Sequence, residues 1–332
     1  MTETAKRVMV PGYRHLPGRH CGSTALRNLL GFHGVEISEE MAFGLGAGAC
    51  FYYVVVDGTS PSRFTNGRAA RLEENFLELT DSPLRLRTDD DPDAAWALAR
   101  EAVDEGRPVL LLTDLYYLDH YGRSAHFPGH AVVLAGYDEE LAWLSDTAFE
   151  DLQTTSLESL REARHSKQPI FPLEGHLVDV PEGAELEEAD LRAHAPKAIA
   201  RAAKEMIEPA MGDFQGLPAL RRFAAEVGGW PEAAEDWQWC ARFLYQVIER
   251  RGTGGGNFRR MYSRFLSEVG YETESVIAGE AAADWTKLAI AARDASEPEK
   301  PNPAHLKALD AEAARVLDAE ERLWTALAPA GG

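Results

Sequence analysis

Apolar residues recur at helical spacing from Ser23 to Leu30, which predicts a helix that begins beside Cys21 and stops at Gly31 or Gly34. Residues 50–56 (CFYYVVV) are aromatic and β-branched, the pattern of a buried strand. The spacing then predicts amphipathic helices over 65–79 and 92–105, the second introduced by Asp91-Pro92, and a buried strand over 108–113. Residues 130–137 (HAVVLAGY) and 141–146 (LAWLSD) read as two short strands of a β-hairpin joined across Asp138-Glu139-Glu140. Beyond about residue 180 the strand signal fades and Ala, Glu, Leu and Arg dominate. Helical spacing is found near 189–207, 215–227, 232–251, 256–269, 281–294 and 303–327, with a polar, proline-bearing loop at 296–303. The expected architecture is an α+β domain over residues 1–180 followed by an all-helical domain over 181–332.

Composition narrows the class. The 332 residues suffice for two domains, and 45% hydrophobic with 27% charged residues is ordinary for a globular protein. No apolar run approaches the roughly 20 residues that span a bilayer. The first residues carry neither the apolar stretch nor the cleavage site of a signal peptide, so a cytoplasmic location is expected, with no membrane partner. A net charge of −20 argues against a nucleic-acid surface, which needs a basic field. Three cysteines, with no Cys-x-x-Cys pair, form neither a disulfide framework nor a zinc site, and no metal is expected.

The chemistry gathers around Cys21. A cysteine at a helix start meets unsatisfied N–H groups and the positive end of the helix dipole, which favour a thiolate. A thiol nucleophile also needs a base, a group that orients the base, and oxyanion donors. His130 opens the first hairpin strand and Asp146 closes the second. A turn centred on Glu139 puts position 132 opposite 146, making His130 and Asp146 diagonal neighbours on one face, about 7–8 Å apart. An imidazole and a carboxylate bridge that span. For the oxyanion, the backbone N–H of Cys21 is one donor, with His15 and His20 as rival second donors. Cys50 and Cys240 lie in apolar settings that read as core.

These residues carry a resemblance. The stretch HCGSTALRNLLGFHGVEISEEMAFGLGAGACFYYV (20–54), with PGHAVVLAGYDEE (128–140) and LSDT (144–147), resembles the N-terminal domain of the butirosin biosynthesis protein H family. RRGTGGGNFRRMYSRFL (250–266) resembles the helical domain commonly fused to it. The resemblance implies a papain-like fold, similar in its Cys…His…Asp order to peptidases that process double-glycine leader peptides. Cys21, His130 and Asp146 match the family's catalytic positions. Papain-like enzymes usually carry glutamine near the spacing of His15, so the histidine is a departure. The implied activity is acyl transfer rather than proteolysis, because the namesake moves an aminoacyl chain from the phosphopantetheine thioester of an acyl carrier protein to an aminoglycoside amine. Members serve diverse biosynthetic pathways of secondary metabolism.

The expected partners are therefore a carrier-protein or other thioester donor and a small-molecule amine acceptor, with no cofactor beyond the donor's phosphopantetheine. Gly254, Gly255 and Gly256, with Arg259, read either as a backbone cradle for the donor's phosphate or as a plain helix–helix connection. Asp114 and Tyr117 read as contacts for a cationic amine or as ordinary loop residues. The last helix offers packing or self-association surface. A cysteine peptidase or amidase with the same triad, and a non-catalytic binding protein on the same fold, are the alternatives.

Overall fold

The computed structural model describes residues 7–168 and 171–328. The chain divides into two compact units, neither of them contiguous: residues 1–42 with 76–191, and residues 43–75 with 192–332. In chain order the first half forms β1 (Val8–Met9), α1 (Cys21–Phe32), α2 (Glu39–Leu45), β2 (Ala49–Val55), β3 (Arg63–Arg68) and α3 (Leu72–Thr80). β4 (Arg85–Arg87), α4 (Pro92–Asp104), β5 (Val109–Asp114), β6 (Pro128–Tyr137), β7 (Leu141–Ser145), β8 (Gln153–Ser156), α5 (Leu157–Arg164) and β9 (Leu177–Asp179) follow. The second half is helical: α6 (Glu188–Ala193), α7 (Ala195–Ile207), α8 (Gly216–Glu226), α9 (Trp230–Ala233) and α10 (Trp237–Glu249). It ends with α11 (Arg259–Glu268), α12 (Glu272–Ser296) and α13 (Pro303–Leu327). The molecule is thus α+β with a helical C-terminal region.

The first unit is built on an antiparallel sheet ordered β4-β9-β5-β6-β7-β8, with β1 added to β6. The central strands β5 and β6 are apolar runs with little alternation because both of their faces are buried. Val109, Leu111, Val132, Leu134 and Leu144 share one core with Ala99, Ala102 and Val103 of α4 and Leu160 and Ala163 of α5. α4 starts where the sequence demands. Asp91 caps it by accepting from the N–H groups of Asp93 (2.8 Å) and Ala94 (3.5 Å), and Pro92 takes the first-turn position that loses no hydrogen bond.

In the second unit, β2 and β3 form a two-stranded hairpin covered by helices. Phe51 packs against Phe223 and Trp285, and Tyr53 against Phe223 and Trp230. The Tyr53 hydroxyl accepts from Trp230 Nε1 (3.1 Å) and donates to Glu226 (2.8 Å). Two expectations change here. Residues 65–79 are not one helix: 63–68 are a strand whose ladder to β2 outweighs their local spacing, and the helix is confined to 72–80. The segment 43–75 also groups with the helices rather than with the rest of 1–180, because its aromatic strand is buried by α8, α9 and α12.

Candidate functional site

Cys21 is the first residue of α1, and every element ahead of it is tied down. His20 is the N-cap, extended at φ −111° and ψ 127°, and its Nδ1 accepts from the Ser23 N–H at 3.2 Å. Glu39, buried, reaches back from α2. One of its carboxylate oxygens accepts from the N–H groups of Arg19 (2.9 Å) and His20 (2.7 Å) and from the Thr24 hydroxyl (3.0 Å). Gly18 passes so close that a Cβ there would lie 2.0 Å from the Thr24 hydroxyl oxygen, so no larger residue fits. The same loop is anchored to the end of β7. The Gly18 N–H donates to the Thr147 carbonyl (3.0 Å), and Asn28 of α1 donates to Ser145 Oγ (3.3 Å) and the Leu16 carbonyl (3.0 Å).

β6 and β7 bring the other two groups together. The turn is Glu139-Glu140, capped by Asp138, which accepts from the N–H groups of Glu140 and Leu141. Near the turn Tyr137 faces Ala142, but a bulge between Leu134 and Gly136 shifts the ladder so that Val133 faces Ser145. Val132 then stands opposite Asp146, with His130 diagonal to it on the same face. His130 Nε2 donates to Asp146 Oδ2 at 3.0 Å. The Cys21 thiol is also a hydrogen-bond partner of this imidazole, and with Nε2 committed to Asp146 the nitrogen left for it is Nδ1.

Asp146 is fully buried and accepts three side-chain donors. His120 Nε2 shares Oδ2 with His130 at 3.0 Å, and the Tyr121 hydroxyl donates to Oδ1 at 3.1 Å. Tyr121 also meets His130 edge-on at 5.6 Å, and Phe149 closes over His120 and Tyr121. These contacts set the charge states. Burial opposes a charge on His130, but the Asp146 carboxylate outweighs it, Cys21 adds to the effect, and the imidazole is raised to about 10. Burial alone would raise the Asp146 carboxyl. His130, together with the bonds from His120 and His130, reverses this and holds it well below the usual carboxylate range. Burial and the Asp146 charge push the Tyr121 phenol up, so it remains a donor.

A stability prediction follows from Asp146. An unfolded aspartate titrates near ~3.9, above the folded value, so its contribution is complete above that pH and is lost as the pH falls through the lower folded value. Asp146→Asn should therefore be less stable than the parent at pH 6, and the gap should narrow toward pH 3. Urea unfolding at the two pH values measures it. A gap that stays constant would show that Asp146 is not a depressed, stabilising carboxylate.

The other residues singled out from the sequence have different work. His15 Nε2 donates to the Phe149 carbonyl (2.8 Å) and its Nδ1 pairs with Ser145 Oγ (2.7 Å), so it braces the loop and is not an oxyanion donor. The Nδ1 of His20 is committed to capping α1. Asp114 does not meet an acceptor amine: it is 0% exposed and takes donors from His126 (2.8 Å), Ser166 (2.7 Å) and the Phe127 and Tyr116 N–H groups. Tyr117 packs edge-on against Tyr116 and His126.

The phosphate cradle is also replaced by a structural role. Gly254, Gly255 and Gly256 are consecutive left-handed residues (φ +67°, +82°, +60°), a run that favours glycine. Two of their N–H groups are used internally, that of Gly255 on Thr253 Oγ1 and that of Gly256 on the Glu249 carboxylate, a group that would repel an anion. Arg259 is 0% exposed and paired through two nitrogens with Glu320 at 2.8 and 2.9 Å. Cys50 and Cys240 are buried, and burial raises both thiols, Cys50 to about 11.

Sequence reasoning missed Glu39, His120 and Tyr121 as members of this site. Ser38-Glu39-Glu40 looks like any acidic helix start, and nothing local shows that Glu39 turns toward residues 19–24.

The model of the N-terminal domain of butirosin biosynthesis protein H matches residues 20–147, and that of a domain of unknown function, DUF4872, matches residues 158–327, half of the chain. The chain belongs to the DUF4872 family, and its residues 20–147 are similar to the N-terminal domain of butirosin biosynthesis protein H. Its N-terminal domain match contains Cys21, Glu39, His120, Tyr121, His130 and Asp146, while the DUF4872 match begins inside α5 and runs to the end of α13. No curated protein matches the chain. Among solved structures, a crystal structure described as that of a C39-like peptidase from Bacillus anthracis is 15% identical, covering 54% of this chain and 100% of its own, with a TM-score of 0.38. Family and site geometry point to a cysteine-dependent enzyme. No helix among the described residues is long and apolar enough to cross a membrane.

Proposed function

We propose that the chain is an acyltransferase that takes an acyl or aminoacyl group from a carrier-protein phosphopantetheine thioester and passes it to an amine, as a step of a biosynthetic pathway. The observation that carries the reading is the Cys21–His130–Asp146 array, in which a buried carboxylate orients an imidazole held toward its charged form. An imidazolium beside a cysteine at a helix start is the setting that favours a thiolate. The likeness of residues 20–147 to the N-terminal domain of butirosin biosynthesis protein H favours transfer over proteolysis.

In the first half-reaction the Cys21 sulfur attacks the thioester carbonyl carbon, and the positive end of α1 supports the oxyanion. The bond to the pantetheine sulfur breaks, and that sulfur leaves with the proton from His130. The acyl group is then a thioester on Cys21. In the second half-reaction an amine attacks the same carbon, neutral His130 takes the amine proton, and the Cys21 thiolate departs as the amide forms. The donor thioester is already activated, so the scheme draws on no further cofactor.

The test mixes the protein with an acyl-pantetheine thioester and follows intact mass with and without an amine. An adduct on Cys21 that persists until amine discharges it as an amide is the expected result. Rapid loss to free acid, indifferent to every amine tried, assigns the site to a hydrolase. Peptide cleavage with no adduct from any thioester rejects the transferase reading.

A further inference from the structure

Away from the cysteine, the first unit holds a cavity of about 300 Å³ between α4 and α5. Pro92 and Trp96 line it from α4, Leu157 and Leu160 from α5, and Arg164 and His165 at the C-terminal end of α5. Its volume is at the lower end of that of small-molecule sites, and its lining is mainly apolar. The unusual member is Arg164. It is 2% exposed, yet no carboxylate of the described residues pairs with it. Two of its nitrogens donate to backbone carbonyls, Nη1 to Ala95 at 3.2 Å and Nη2 to Gly175 at 2.8 Å. Its Nε–H is buried with no partner among the described residues.

A buried charge is ordinarily paired with an opposite charge, and a buried donor is ordinarily hydrogen-bonded; Arg164 has neither a carboxylate nor a full set of acceptors. Its neighbours do not make up the deficit. His165 sets its ring nitrogens against the Arg161 and Asp89 carbonyls, Arg161 pairs with Asp93, and Glu158 is exposed at the rim. We propose that this cavity binds a small organic carboxylate with an apolar body, the carboxylate meeting Arg164 and the body lying against Trp96, Leu157 and Leu160. Arginine suits the role because its planar fork matches a carboxylate, and the two carbonyls already fix its orientation. With no anion beside it, burial pushes the Arg164 guanidinium down to about 10, and a bound carboxylate reverses that cost. The site does not depend on the reaction proposed for Cys21.

The probes are phenylacetate and its uncharged isostere phenylacetamide, titrated against the full chain with ligand-observed NMR and thermal unfolding as readouts. The expected result is saturable binding of phenylacetate, with phenylacetamide at least about tenfold weaker because it lacks the charge-assisted bond. Arg164→Gln should erase the preference for the acid. Leu157→Trp, which keeps the arginine and fills the cavity, should abolish binding in a chain that still unfolds cooperatively. Cys21→Ala should bind like the parent. Equal affinity for acid and amide, binding that survives Leu157→Trp, or no saturable binding of phenylacetate at about 10 mM would each overturn the assignment.

Discussion

His130→Ala should lower the rate of Cys21 acylation by an acyl-pantetheine thioester roughly 10⁴-fold or more, the scale on which removing the base from a nucleophile–base pair acts. Cys21→Ala should form no adduct. Asp146→Asn should retain more activity than His130→Ala, since an orienting carboxylate generally contributes less than the base. Here the loss has two parts. The acceptor for His130 Nε2–H is weakened, and His120 and Tyr121 lose the carboxylate that gathers them beside His130. Tyr121→Phe removes only the bond to Oδ1 and should cost far less. Single-turnover acylation followed by intact mass separates these cases. A His130→Ala chain within tenfold of the parent rate would remove the histidine from the mechanism.

Arg259→Met should destabilise the second unit by about 3–5 kcal/mol, because removing one partner of a buried ion pair leaves the other charge uncompensated. Glu320 also accepts from the indole N–H groups of Trp285 and Trp324, each at 2.6 Å. Arg259 Nη1 bonds the carbonyls of Cys50 (2.8 Å) and Gly67 (2.9 Å), holding the β2–β3 hairpin. Adding Glu320→Gln should recover part of the loss, since the amide oxygen still accepts from a tryptophan without stranding a charge. Urea unfolding monitored by tryptophan fluorescence measures both. A single variant within about 1 kcal/mol of the parent would show that the pair is not a structural strut.

The contrast between Cys21 and Arg259 shows what a sequence displays and what it hides. The start of α1, the strands β5, β6 and β7, and the last helix at 303–327 were legible because each is fixed by local periodicity and a nearby turn or cap. The opposition of positions 132 and 146 was also reached, though by compensation. The turn lies at Glu139-Glu140 rather than being centred on Glu139, and the bulge between Leu134 and Gly136 restores the register. The short strands β4, β8 and β9 carry too few residues for a period to show. The sequence leaves the role of Arg259 open because the burial of a charge is decided by a partner 61 residues away. Glu39 went unnoticed for the same reason, its targets being 15 to 20 residues upstream.

The excursion of residues 43–75 out of the first unit sets a timetable for synthesis. A ribosome releases the β2–β3 hairpin more than a hundred residues before Gly216, where α8, the first of the helices that bury Phe51 and Tyr53, begins. At roughly 5–20 residues per second the aromatic strand waits on the order of ten seconds with its apolar face uncovered, a liability for an unpaired edge. A chain cut near residue 180 would never end that wait. An isolated N-terminal fragment carrying Cys21, His130 and Asp146 would therefore carry a hairpin whose hydrophobic cover lies in the missing half.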